Sequence, residues 1–107
     1  MKPYIYLSLA ILSEVIATTA LKSTAGFSKV VPSLIVVVGY GIAFYLLSLT
    51  LQYIPLGLTY ATWSGLGTVG VVILGILLYR ETLQWQHVVG ILLIIGGSIL
   101  LHMTRQP

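Results

Sequence analysis

The sequence has 107 residues, of which 58% are hydrophobic and 7% are charged. In soluble domains roughly a quarter of the residues are charged, so this composition indicates an integral membrane protein of one small domain. The chain has no cysteine, which excludes disulfides and thiolate metal sites. Its Lys and Arg residues are scattered singly, so they form no basic patch for binding nucleic acid.

Four apolar segments follow one another along the chain. A bilayer core of about 30 Å requires roughly 17 to 25 apolar residues in a helix. On this basis we predict one domain over residues 1–107, with membrane spans at about residues 4–22, 32–53, 58–79 and 88–102. The fold class is therefore predicted to be all-α, a polytopic membrane protein with four transmembrane helices. The fourth segment is short, so Trp85 and His102 are expected at the two membrane interfaces.

Glu14 lies near the middle of the first apolar segment. A carboxylate at bilayer depth costs about 3 kcal/mol even on insertion scales that give low costs, and such residues are usually functional. The alternative is a protonated, hydrogen-bonded packing residue. On a helical period Tyr4, Ala17 and Thr18 share the face of Glu14. The Thr18 hydroxyl, one turn on, could bond either the carboxyl group or its own backbone.

The third segment has a comparable face of aromatic and polar residues. Tyr60, Trp63, Ser64 and Gly67 recur there at steps of three and four, and Tyr40 lies in the second segment. Aromatic faces attract organic cations by about 2 kcal/mol or more when water is excluded. Together with one carboxylate, these rings predict a site for a lipophilic cation. Packing or a position in the interfacial aromatic belt is the alternative, and it suits the rings near segment ends, such as Tyr4.

Glycines form two patterns. Gly65, Gly67 and Gly70 match G-x-G-x-x-G, but the match lies inside an apolar segment rather than after a strand, which excludes a dinucleotide site. We expect Gly65 and Gly67 to permit close packing or a bend in the third helix. Gly90 and Gly97 lie on one face of the fourth helix, where they favour close pairing with another helix.

Enzymatic signatures are missing from the sequence. There is no H-E-x-x-H motif and no pair of acids within one segment, and His87 and His102 lack the polar neighbours of a catalytic base. We therefore expect a protein that is not an enzyme and that uses no metal and no cofactor.

Several stretches together resemble the small multidrug resistance family, in its drug-exporting branch. They are Pro3-Tyr-Ile-Tyr6, Ala10-Ile-Leu-Ser-Glu-Val-Ile-Ala-Thr-Thr19, Tyr53-Ile-Pro55 and Tyr60-Ala-Thr-Trp-Ser-Gly65, and the likeness covers the whole chain. The family implies a four-helix subunit, an antiparallel homodimer and exchange of protons for quaternary ammonium and other aromatic cations. The guanidinium-exporting branch tends to have tryptophan where this chain has Ala17, which favours bulky cations.

The resemblance also implies roles for single residues. Glu14 would bind both proton and substrate, so the two would compete for it. The substrate-binding residues would be Tyr4, Thr18, Tyr40, Tyr60, Trp63 and Ser64, and the dimer interface would include Gly90 and Gly97. The expected protein is a secondary active transporter for multidrug efflux in the bacterial plasma or inner membrane. Export of a small cation such as guanidinium or a polyamine, assembly as one half of a heteromeric pair, and a subunit that does not transport are the alternatives.

The charges outside the four spans bear on orientation. With four spans, Lys2 and Arg105 lie on one side of the membrane, and Lys22, Lys29 and Arg80 lie on the other. Orientation follows the imbalance of Lys and Arg near the span ends, and two against three is a small imbalance. We therefore expect dual topology, in which the chain inserts in both orientations and assembles as an inverted pair.

Overall fold

The computed structural model describes residues 2–103, and these form four helices. The helices are α1 (Lys2–Ser23), α2 (Val30–Thr50), α3 (Leu56–Tyr79) and α4 (Trp85–His102). Each is long and apolar enough to cross a membrane. At about 1.5 Å per residue, even α4 with its 18 residues is about 27 Å long. The predicted fold class, all-α with four transmembrane helices, is confirmed.

The observed helix ends differ from the predicted ones by up to three residues. α2 ends at Thr50, and the Tyr53 and Ile54 N–H groups donate to the Thr50 carbonyl in the turn that leads to Pro55. α4 begins earlier than predicted, at Trp85, because Gln84 and His87 form a reciprocal capping box. In it the Gln84 N–H donates to His87 Nδ1 at 2.8 Å. Polar residues expected in the connection thus form the first turn of α4.

Packing centres on α1, which contacts both α2 and α3, while α4 lies against α3. The molecule is 19 Å across its smallest dimension, about two helix diameters. Small residues allow the close contacts, since Ala10, Ala17 and Ala43 are fully buried. Most large apolar side chains are exposed instead, as expected where lipid rather than water surrounds the helices.

The contact between α1 and α2 is closest at Gly39. A Cβ atom added at this position would lie 2.8 Å from Ala17 Cβ and 3.3 Å from the Ser13 carbonyl oxygen. The Ser13 hydroxyl donates to the Gly39 carbonyl at 2.7 Å, which fixes the two helices at this level. A larger residue at position 39 would therefore push α1 and α2 apart.

The first connection contains three consecutive residues in the left-handed region. They are Ala25, Gly26 and Phe27, with φ angles of 49°, 73° and 66°. Only glycine adopts this region without strain, so Gly26 acts as the helix breaker that the sequence indicated. The Lys29 N–H donates to the Thr24 carbonyl at 3.1 Å and closes the turn.

α4 differs from the other helices in having no buried residue. A Cβ atom at Gly90 or at Gly97 would meet no atom within 4 Å. The face that carries both glycines is therefore open in a single subunit. The predicted antiparallel homodimer with Gly90 and Gly97 in its interface remains a prediction.

The contact at Gly39 predicts an effect on stability. Gly39→Ala should lower the free energy of unfolding by about 1 to 3 kcal/mol relative to Gly41→Ala, because overpacking a close contact costs this much. Gly41 is the matched control, since a Cβ atom there meets nothing within 4 Å and the gain in helix propensity is the same. Melting temperatures in detergent measure the difference. Equal melting temperatures for the two variants would show that α1 and α2 accommodate the added methyl group without loss of stability.

Candidate functional site

An open cavity of about 390 Å³ lies between α1, α2 and α3, and we call it the central cavity. Pockets for small molecules typically measure about 300 to 1,000 Å³. It is lined by Glu14, Thr18, Tyr40, Trp63, Ser64, Gly67, Thr68, Val71 and Val72. A single carboxylate therefore faces a space large enough for a small organic molecule.

Glu14 is held by a chain of hydroxyl groups. The Thr18 hydroxyl donates to Glu14 Oε2 at 2.8 Å. The Tyr40 hydroxyl is hydrogen-bonded to Thr18 Oγ1, so the chain continues from α1 to α2. Of the two bonds that the sequence allowed for Thr18, the structure shows the one to the carboxylate.

Gly67 of α3 provides the space in which the Glu14 carboxylate lies. A Cβ atom added at residue 67 would collide with Glu14 Oε1. Gly65 serves a different contact, because a Cβ atom there would lie 3.1 Å from Ile94 Cγ2 of α4. Both glycines thus permit close packing, while α3 continues as one helix through them. The bend expected at Gly65 and Gly67 remains a prediction.

Four aromatic rings lie at one side of the central cavity. The rings of Tyr40 and Phe44 are stacked, with centroids 6.1 Å apart. Trp63 lies 5.9 Å from Phe44 and 5.9 Å from Tyr60, with tilted rings in both pairs. The Trp63 Nε1–H group is buried and has no hydrogen-bond partner among residues 2–103. Two of the four rings, Tyr40 and Trp63, line the cavity, and Phe44 and Tyr60 pack against them.

The predicted substrate-binding residues fall into two groups. Thr18, Tyr40, Trp63 and Ser64 line the central cavity together with Glu14. Tyr60 and Tyr4 do not line it, and they are 59% and 46% exposed. The Tyr60 ring contacts Trp63, which lines the cavity. Tyr4 lies in the first turn of α1, where its hydroxyl is 3.5 Å from His102 Nδ1. Ten residues of helix, about 15 Å, separate Tyr4 from Glu14 along the axis.

Three lining residues were not among the predicted site residues, namely Thr68, Val71 and Val72. Thr68 lies one turn after Ser64, and its hydroxyl donates to the Ser64 carbonyl at 2.7 Å. Its spacing of four residues from Ser64 was a usable signal in the sequence. Val72 had no such signal, since its apolar side chain matches the lipid-facing residues around it. Within residues 2–103 no group of three His, Cys, Asp or Glu side chains is placed to hold a metal ion.

Comparison with known proteins agrees with this architecture. The family model described as Small Multidrug Resistance protein matches residues 2–94. Multidrug resistance protein EbrA of Bacillus licheniformis is 50% identical over 101 residues, which cover 94% of this chain and 96% of that protein.

Two further relatives are named for resistance to one class of compound. Quaternary ammonium compound-resistance protein QacE of Escherichia coli is 50% identical, over 99% of this chain and 96% of that protein. Quaternary ammonium compound-resistance protein QacC of Staphylococcus aureus is 48% identical, over 94% of each. The chain therefore belongs to the small multidrug resistance family of bacterial membrane transporters and is a multi-pass protein of the cell membrane.

Proposed function

We propose that this chain is a proton-coupled antiporter that exports lipophilic and quaternary ammonium cations. The observation that carries the proposal is the Glu14 carboxylate, which faces a cavity of about 390 Å³ beside aromatic rings. A carboxylate supplies charge for a cation, and the rings supply cation–π attraction and apolar contact. The names of QacE and QacC refer to quaternary ammonium compounds, which fit such a cavity.

Competition for Glu14 couples the two fluxes. An ionised carboxylate attracts an organic cation, whereas a protonated carboxyl is neutral and does not. Proton and cation therefore exclude one another at this group. An inward proton gradient then drives the cation outward, and each unit of pH difference supplies about 1.4 kcal/mol per proton. Thr18 positions the Glu14 carboxylate through its hydrogen bond, and Tyr40 in turn is hydrogen-bonded to Thr18.

A homodimer completes the site in this proposal. The central cavity is open in one subunit. A second copy would close the cavity and bring a second Glu14 carboxyl to the same space. The face of α4 with Gly90 and Gly97 is free to form the contact. Inverted subunits would let two equivalent states open to opposite sides of the membrane.

Alternative functions differ in what the cavity would bind and in the partner required. One alternative is export of a small cation such as guanidinium. Members of the guanidinium-exporting branch tend to have tryptophan at the position of Ala17. Here Ala17 is fully buried against Gly39, so a tryptophan side chain would not fit. One half of a heteromeric pair should not transport when present alone. A subunit without transport activity should tolerate Glu14→Gln.

The first functional prediction concerns Glu14. Glu14→Gln should abolish uptake of tetraphenylphosphonium by liposomes with an imposed pH gradient, because it removes the charge and keeps the shape. The variant should stay folded and of the same oligomeric size by gel filtration. Glu14→Asp should retain uptake, since the carboxyl group survives. Coupled uptake by Glu14→Gln at the rate of the parent would refute competition for Glu14.

A second prediction tests the aromatic wall of the central cavity. Trp63→Ala should weaken the binding of bulky aromatic cations by about 0.5 to 2 kcal/mol, which raises the Kd by up to about thirtyfold. The binding of tetramethylammonium, which has no aromatic ring, should be weakened less. Trp85→Ala is the matched control, because Trp85 is 70% exposed at the start of α4. Titration calorimetry in detergent measures both series. An equal loss for large and small cations would argue against ring contact with the substrate.

The third prediction concerns orientation in the membrane. Single cysteines at Thr82 and Met103 lie in exposed positions at opposite ends of the helices and do not alter the charge balance. Both should react with an impermeant maleimide added outside intact cells, because each copy of the chain inserts in either orientation. Permeabilised cells give the total reactive amount. Labelling of one cysteine only, in an active protein, would favour a parallel dimer.

A further inference from the structure

A second, smaller cavity of about 80 Å³ lies next to the central cavity, and we call it the end cavity. Thr18 and Val71 line both cavities. The end cavity is further lined by Thr19, Lys22, Gly75, Tyr79 and Glu81. It lies one to two helical turns beyond Glu14 along α1, between the half-buried carboxylate and the end of the bundle.

Glu81 reaches the end cavity because α3 ends in a specific turn. Arg80 adopts the left-handed conformation with φ 56° and ψ 36°, and the Glu81 N–H donates to the Gly75 carbonyl at 3.3 Å. This turn directs the Glu81 side chain back along α3. A Cβ atom at Gly75 would collide with Glu81 Oε1, so the carboxylate occupies the space that this glycine leaves.

Lys22 meets Glu81 across the mouth of the end cavity. Lys22 Nζ lies 3.2 Å from Glu81 Oε2 and 4.7 Å from the centroid of the Tyr79 ring. The Tyr79 hydroxyl donates to the Thr19 carbonyl at 2.8 Å and lies 2.6 Å from Ser23 Oγ. The last turn of α1 is thereby joined to the end of α3.

The ion pair is accessible to water, since the side chains of Lys22 and Glu81 are 58% and 51% exposed. Exposed pairs of this kind are weak and break readily. When closed, the pair is neutral and its side chains cover the end cavity. When open, Glu81 presents a free carboxylate to an arriving cation, and the route to Thr18 and Glu14 is uncovered.

We propose that Lys22 and Glu81 form a gate, whose ion pair closes the end cavity and breaks when proton or substrate passes between this end of the bundle and Glu14. The gate rests on the proposed transport function, because it acts on access to the same carboxylate. Lys22 and Glu81 are positioning residues in this proposal, and Glu14 remains the group that binds proton and substrate.

The test uses a single cysteine, since the chain has none of its own. Val71→Cys places a thiol where the two cavities meet. In detergent, Lys22→Gln or Glu81→Gln should increase the rate of reaction of this thiol with a polar maleimide by about two- to fivefold. Loss of an exposed ion pair changes the equilibrium between the closed and open states by no more than this factor. The exchange variant Lys22→Glu with Glu81→Lys should return the rate toward that of the parent.

Controls separate a gate from general loosening. Lys29→Gln removes the same charge at the same end of the bundle and should leave the rate unchanged, since no ion pair of Lys29 occurs within residues 2–103. A thiol at Ser64, which lines only the central cavity, should react at the same rate in all backgrounds. Equal rates at residue 71 in all variants, or a rise at residue 64 as well, would overturn the gate.

Labelling is measured without transport, so the gate and the proposed function are tested separately. Liposomes with an imposed pH gradient supply the second measurement. A parent protein without uptake would refute the transport function, while the rates at residue 71 would still decide the gate. In an active protein, both single variants should also pass more protons in the absence of organic cation than Lys29→Gln does. An unchanged proton flux would count against the gate.

Discussion

The structure depends on how one carboxylate is accommodated among apolar helices. Glu14 lies against the backbone of α3 at Gly67, and Thr18 donates a hydrogen bond to it. A carboxylate without such partners would be costly at this depth. The close approach of α1 to α3 and the chain of hydroxyls to Tyr40 follow from this requirement. The same contacts leave one face of the carboxyl group toward the central cavity, where it is available to a ligand.

Most of the fold could be predicted because the bilayer imposes simple rules on sequence. Helices must be about 20 apolar residues long, and their number and order follow from composition. The predicted helix ends are wrong where hydrogen bonds, rather than hydrophobicity, determine where a helix begins or ends. The capping box of Gln84 and His87 extends α4 backwards into polar sequence. The left-handed turn at Arg80, which places Glu81 over the end cavity, had no signal in the hydrophobic pattern because arginine is not a typical residue for that conformation.

The candidate site was predicted in part, and the limit is geometric. Helical period identifies residues that share a face, which was sufficient for Thr18, Trp63 and Ser64. It does not give the crossing angle between helices, and that angle decides how far along a face the cavity extends. Tyr4 shares the face of Glu14 but lies beyond the cavity, and Tyr60 is in contact with it only through Trp63. Gly67 was interpreted through its effect on the backbone of α3, whereas in the structure it provides room for a side chain of α1.

The absence of a side chain at residue 67 has a consequence for how members with a different drug range could arise. Any side chain introduced there would displace the Glu14 carboxylate, so this wall cannot be used to change the size of the cavity without loss of the charge that defines it. Thr68 and Val72 line the same cavity and are not hydrogen-bonded to Glu14, so substitutions there can change the size of the cavity without displacing the carboxylate. Selection under a new biocide, or directed evolution toward a larger cation, is therefore expected to change these two positions while residue 67 stays glycine.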